Sequence, residues 1–266
     1  MKAPSSPQSE LMCSEFVVKI FVFSLGLAAC NFRDTKMTMP SPPVPKLEDG
    51  LHYWDYRYEV GHTVWQLDHV HPMLEKHFGS LNPKGKDGKI LVPMCGMSVD
   101  MKWLLNKGVS QVVGVDSAFK ALDTVMATSG QEWTESSVND LGPEAKLFTG
   151  KDERWKLYCG DIMKFTTEME SKFDMIWERG GVIVLPRKDV EKYCNQIKDM
   201  LKVGGRMLLE TIEYDSSVSK ENQPTMNVPP PFAMYEDEIR RLFGDGGYEL
   251  ATAGPCRFQG NTNASN

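Results

Sequence analysis

From Lys89 onward the sequence alternates short apolar runs with longer amphipathic ones, and that alternation limits the folds open to it. Lys89–Pro93 (KILVP) is an apolar run of strand length. Ser98–Lys107 follows as a helix with Val99, Trp103 and Leu104 on one face, Ser98 as its expected N-cap and Gly108 as its stop. Gln111–Val115 is a second strand, ending at Asp116. Ser117 is placed to cap a helix carrying Ala118, Phe119, Leu122, Val125 and Met126 at helical spacing, stopped by Gly130. Trp155–Cys159 and Phe173–Trp177 read as further strands. Arg187–Lys202 reads as a helix with Val190, Tyr193, Cys194, Ile197 and Leu201 as its stripe. Arg206–Ile212 (strand), Met234–Phe243 (helix) and Tyr248–Ala253 (strand) complete the series. Strands separated by helices must pair in parallel through crossovers. The expected fold class is α/β, a doubly wound, mostly parallel sheet.

Ligands of such a sheet bind beyond the carboxyl ends of its strands. The residues standing there are Pro93, Met94, Cys95 and Gly96, then Asp116, then Gly160 and Asp161, and finally Glu178, Arg179, Gly180 and Gly181. Asp116 lies 20 residues beyond Gly96, the spacing at which an acid meets ribose hydroxyls. A carboxylate only accepts, so it suits a diol. Asp161 is placed to accept from an adenine amino group. Acids repel phosphate, and the G-x-G-x-x-G turn that would hold a pyrophosphate is missing here. An adenosine ligand without phosphate fits this set. Asp116 is expected to serve the crevice rather than the core, so that its loss would spare folding.

Residues 1–50 look different. They carry six of the 16 prolines, four of them between Pro40 and Pro45, which marks an extended linker. The expected division is a disordered leader and Pro-rich linker over 1–50, a folded domain over 51–256 and a disordered tail over 257–266. Phe16–Cys30 has the length and small-residue end of a secretory signal, but Glu10 and Glu15 precede it where positive charge is expected. The expectation is therefore a cytoplasmic protein, with a secretory route as the alternative if residues 16–30 act as a signal. No apolar run reaches the roughly 18 residues of a membrane span. A net charge of −6 excludes a general nucleic-acid binder. Six cysteines without a C-x-x-C exclude a disulfide scaffold. His62, His69, His71 and His77 have no cysteine or paired carboxylate at metal-ligand spacing and are expected as solvated or capping residues, so no metal is expected. Cys95 has no obvious partner base and reads as a small buried thiol.

Pro93-Met94-Cys95-Gly96, the following Val99–Trp103, Val112–Asp116, Lys172–Gly180, Pro229–Phe232 and Glu238–Gly244 together resemble the thiopurine S-methyltransferases. Trp54–Tyr58 with Gly61 and Trp65 is similar to that family's aromatic lid, and the likeness is collinear over roughly residues 51–250. The resemblance implies a Rossmann-like class I methyltransferase using S-adenosyl-L-methionine on aromatic or heterocyclic thiols such as thiopurines. It implies that Trp54, Tyr58 and Trp65 close over the cofactor and substrate mouth, with Trp65 as the wall against the thiol ring. Met94 and Gly96 would meet the methionine moiety, Asp116 the ribose, and Asp161 with Ile162 the adenine. Arg179 would stand at the boundary of cofactor and substrate as the catalytic cation.

Two departures stand out. Trp65 replaces the family's usual Phe, and the polar tail from Arg257 shows no strand pattern where the family continues with an arginine-bearing loop and a closing hairpin. The sheet is accordingly expected to lack that C-terminal hairpin; the second arginine is left unassigned, Arg257 being only a candidate. The alternative function is a catalytically degenerate protein that only binds the cofactor. The expected partners are a small-molecule thiol or selenol, with no nucleic acid, no membrane span and a monomeric state.

Overall fold

In chain order the elements are β1 (Phe16–Val17), β2 (Lys19–Ser24), α1 (Leu51–Glu59), α2 (Pro72–Leu81), β3 (Lys89–Pro93), α3 (Asp100–Asn106), β4 (Gln111–Asp116), α4 (Phe119–Ser129), β5 (Trp133–Ser137), β6 (Lys146–Gly150), β7 (Trp155–Cys159), β8 (Phe173–Arg179), α5 (Arg187–Met200), β9 (Leu201–Glu213), α6 (Glu236–Phe243) and β10 (Tyr248–Glu249). The computed structural model describes residues 16–17, 19–24, 51–82, 87–213, 231–244 and 248–249.

The main sheet has the order β2-β9-β8-β3-β4-β7-β6-β5 among the described residues. All pairings from β2 to β7 are parallel, while β6 runs antiparallel to both β5 and β7. After β3 the chain steps outward to β4 and β7, then returns across β3 to build β8 and β9. That reversal puts the topological switch point beside β3.

The centre explains itself. β3 and β4 are buried at every residue after the first, as parallel strands covered on both faces must be. Leu91, Val113 and Val115 face one way, into a core completed by Val190, Tyr193, Cys194 and Ile197 of α5 and by Ile239, Leu242 and Phe243 of α6. Ile90, Val92 and Val112 face the other way, against Met73 and Leu74 of α2, Met101 and Leu104 of α3, and Leu122 and Val125 of α4. Helices on both faces of the sheet make it doubly wound.

Several local boundaries shift. Ser98 does not cap α3 from the N-cap position, which Val99 occupies; from one residue earlier its hydroxyl accepts from the Asp100 N–H at 3.2 Å. Ser117 likewise yields to Ala118 as N-cap of α4. The hairpin β5–β6 was not expected, since WTESS carries no alternating apolar pattern and β5 is exposed beyond Trp133.

The outer edge of β9 holds the larger surprise. Lys19–Ser24 pairs with Leu208–Glu213 in parallel, and Phe16–Val17 pairs with Tyr248–Glu249. Residues 16–17 and 19–24 were expected to lie outside the fold; their backbone belongs to the sheets. No C-terminal strand joins the main sheet among the described residues, and β2 takes the edge that a closing hairpin would fill. The proline-rich stretch Met39–Pro45, the remainder of Tyr248–Ala253, and Arg257 lie outside the described residues. Among the described residues no helix is long and apolar enough to cross a membrane.

Candidate active site

The turn after β3 is tightly wound. Met94 has φ 46° and Gly96 φ 51°, both in the left-handed region that disfavours ordinary side chains. A Cβ on Gly96 would stand 2.3 Å from the Tyr58 hydroxyl and 2.4 Å from Gln66 Nε2. Glycine is thus required twice over, for its backbone angle and for the lid that rests on it. The turn is held by Cys95 N–H donating to Val115 O at 3.1 Å and by Asp116, whose Oδ2 accepts from Gly96 N–H at 2.7 Å.

Asp116 sits at the end of β4, only 7% exposed, with Oδ1 accepting from the Ala118 N–H at 2.9 Å. Burial pushes its carboxyl up to about 6, against the pull of the hydrogen bonds from Ala118 and Gly96. It remains ionised near neutrality. A carboxylate has about four acceptor sites, so the two backbone bonds leave room for a diol.

Over this floor lies the lid. Trp65 packs edge-on against Trp54 at 5.5 Å and against Tyr58 at 5.8 Å between ring centroids. The Tyr58 hydroxyl accepts from Gln66 Nε2 at 3.0 Å and from Trp65 Nε1 at 3.4 Å. Arg57 ties the segment together, donating to His62 O and to the Tyr53 hydroxyl while its guanidinium lies 5.0 Å from the Trp65 ring centre. Tyr58 and Trp65 pack on Ala118 and Ala121 at the start of α4. Burial and the Asp116 charge raise the Tyr58 hydroxyl far above the usual phenol range, so it stays protonated.

At the end of β8, Arg179 donates from Nη2 to the Trp65 carbonyl at 2.6 Å and places Nε 3.5 Å from Glu210 Oε2. Of the residues expected in the site, Tyr58, Trp65, Gly96, Asp116 and Arg179 are thus brought together directly, and Trp54 joins through Trp65. Met94 flanks them: its Cε would lie 2.7 Å from a Cβ on Gly181. Asp161 uses Oδ1 to cap the 3-10 turn Ile162–Lys164, accepting from Met163 N–H at 2.9 Å. Ile162 is buried beneath it, and Gly160 N–H donates to Asp116 O at 2.9 Å, bringing the β7 turn to the same rim.

Sequence reasoning gave no role to Arg57, although it stands within the Trp54–Tyr58 motif, and missed Gln66 and Glu210, which stand in no motif and at no strand terminus. His71 caps α2 as a histidine can, yet it is only 1% exposed rather than solvated. Cys95 is buried, and burial with the Asp116 charge holds its thiol well above the ordinary range. A thiol so placed is no nucleophile.

Glu178, expected as a structural residue or as a partner of Arg179, takes a structural place. Its Oε1 accepts from Val182 N–H at 2.7 Å and from the Tyr193 hydroxyl at 3.1 Å. Burial pushes its carboxyl up to about 8 from 4.5, opposed by Tyr193 and reinforced by Glu210. A raised folded-state value means stability that is full below pH 4.5 and is lost as pH climbs to about 8. The slope is on the order of 1.4 kcal/mol per pH unit. Glu178→Gln should flatten the part of this decline between about pH 6 and 8, as read by urea melts at several pH values. Parallel curves for wild type and variant would refute the assignment.

The strand order is that of the Rossmann-like class I S-adenosylmethionine-dependent methyltransferases. A Haemonchus contortus phosphoethanolamine N-methyltransferase 2, complexed with phosphomonomethylethanolamine and S-adenosylhomocysteine, shares the fold at TM-score 0.51 and 18% identity, covering 77% of this chain and 44% of that one. The chain belongs to the thiopurine S-methyltransferase family, whose model matches residues 50–255. It is 31% identical over 194 residues to a probable thiopurine S-methyltransferase of Danio rerio, covering 73% of this chain and 79% of that one. It is 29% identical to the thiopurine S-methyltransferase of Equus caballus, with 73% and 75% covered. The protein is a methyltransferase, and S-adenosyl-L-methionine is its cofactor.

Proposed function

We propose that the protein methylates aromatic or heterocyclic thiols, thiopurines among them, on sulfur. The observation that carries this reading is the joining of Arg179 to the Trp65 carbonyl, which sets a cation and an aromatic wall together over the crevice floored by Asp116. When bound, the cofactor supplies an electrophilic methyl group on a sulfonium. The chain supplies the rest. Asp116 takes the ribose hydroxyls, and the Met94–Gly96 turn lies along the methionine moiety. Asp161 and Ile162 frame the adenine, with Trp54, Tyr58 and Trp65 excluding water.

Aromatic thiols are more acidic than the roughly 8.5 of a cysteine, so much of the acceptor is already thiolate and no dedicated base is needed. Arg179 favours that anion. Proximity and orientation under the lid then account for the acceleration, worth about 7–11 kcal/mol when the geometry is right. Selenols fit the same logic. We place the protein in the cytoplasm as a monomer without nucleic-acid partners.

The test is calorimetric titration with S-adenosylmethionine, followed by turnover of a panel of aromatic thiols and selenols. Binding with methyl transfer to 6-mercaptopurine or thiophenol supports the reading. Binding without turnover of any member would establish a degenerate cofactor-binding protein instead.

A further inference from the structure

Arg179 and Glu210 are register partners on the neighbouring strands β8 and β9, so their side chains leave the same face of the sheet. Glu210 is 8% exposed, so its carboxyl oxygens need partners inside the protein. Two groups meet it. Arg179 Nε lies 3.5 Å from Oε2, and His71 Nε2 lies 3.1 Å from Oε1. His71 caps α2 through Nδ1, which accepts from Met73 N–H at 3.3 Å and leaves Nε2 on the side of the Glu210 carboxyl. Asp100, which accepts from the His71 N–H at 2.8 Å and from Trp177 Nε1 at 2.9 Å, fixes the backbone that carries the ring. The line of contacts runs from the N-terminus of α2 through His71, Glu210 and Arg179 to the Trp65 carbonyl of the lid.

We propose that Glu210 is a positioning residue for methyl transfer: it fixes the Arg179 guanidinium at the acceptor and, through Arg179, holds the lid closed. This rests on the reading that Arg179 meets the thiol. A long arginine loses much rotamer freedom when held. A buried carboxylate anchored by His71 takes that freedom away in advance, so the guanidinium is already set when the acceptor arrives. Its Nη2 donates to Trp65 and its Nε lies within ion-pair distance of Glu210, while no hydrogen bond from Nη1 is found among the described residues. That edge is the one offered to a thiolate.

The test uses Glu210→Gln, Glu210→Asp, Arg179→Ala and the Glu210→Gln/Arg179→Ala double variant of the full chain. S-Adenosylmethionine affinity should stay within about threefold for Glu210→Gln, whereas kcat/KM for 6-mercaptopurine should fall roughly 10- to 100-fold. In the Arg179→Ala background the same change should cost less than about twofold, since the residue acts through Arg179. Glu210→Asp keeps the charge but not the reach; it should fold normally and show a partial loss, which keeps the test open if the Gln variant does not fold. Hydrogen exchange of the amides around Trp65, measured with S-adenosylmethionine present, reads lid closure without any turnover. It should speed up in Glu210→Gln and Arg179→Ala alike, and no further in the double variant. If no thiol is methylated by wild type, the acceptor reading fails by itself and the exchange data alone decide the positioning role. Unchanged exchange in Glu210→Gln, or an equal loss of kcat/KM in both backgrounds, overturns the proposal.

Discussion

Asp116→Ala is expected to weaken S-adenosylmethionine binding by roughly 10- to 150-fold, the equivalent of losing hydrogen bonds worth about 1.5–3 kcal/mol to a charged group. The sequence suggested that folding would be spared; the structure argues otherwise. The carboxylate accepts from Gly96 and Ala118 N–H groups, and alanine would leave both buried donors bare. Each costs about 1–3 kcal/mol, partly offset because a carboxyl held at about 6 is itself strained by burial. A net loss of about 1–3 kcal/mol should lower the melting temperature by several degrees. Asp116→Asn should be no milder, since its amide must turn a donor toward one of those N–H groups or toward the ribose. Wild-type binding should also weaken as pH falls below about 6, where the protonated carboxyl gives up acceptor capacity. Calorimetry paired with a thermal melt checks all four. Binding within about threefold of wild type by a folded Asp116→Ala protein would misplace the ribose contact.

Deleting residues 1–25 is expected to convert a monodisperse protein into an associating one. The deletion strips β2 from Leu208–Glu213 and leaves that edge of β9 with unpaired N–H and C=O groups. Ladder bonds contribute about 0.5–1.5 kcal/mol net apiece, while ordering a strand residue costs about 1–2 kcal/mol. The pairing is therefore close to neutral in free energy, and the melting temperature should fall by only a few degrees. The exposed edge is the larger effect. Light scattering across a concentration series should show oligomers for the shortened chain alone; a clean monomer with an unchanged melt would mean that β2 protects nothing.

How much of this was legible in the sequence depended on burial. KILVP and QVVGV announce themselves because both faces of a central parallel strand must be apolar. WTESS in β5 does not, because one antiparallel neighbour and open solvent ask little of its side chains. Asp116 could be found since a strand end and a spacing of 20 residues from Gly96 mark it. Glu210 could not: it lies inside a strand, and its partner His71 is 139 residues away in the chain (210 − 71). Arg179 was visible as a cation at a strand end, but its hold on the Trp65 carbonyl is a tertiary fact. The β2 strand was hidden by its context, with acids before it and prolines after it, which read as a leader rather than as a sheet edge.

The pairing of Lys19 with Leu208 also sets an order in time. These residues are 189 positions apart (208 − 19), so the strand that leaves the ribosome early finds its neighbour only when most of the chain has followed. At about 5–20 residues per second that is a wait of roughly 10–40 s. During it the first strand has no mate, and the remaining strands can assemble without it. The edge is thus closed last by the segment made first, and a nascent chain halted before β9 would carry that segment unpaired for as long as the halt lasts.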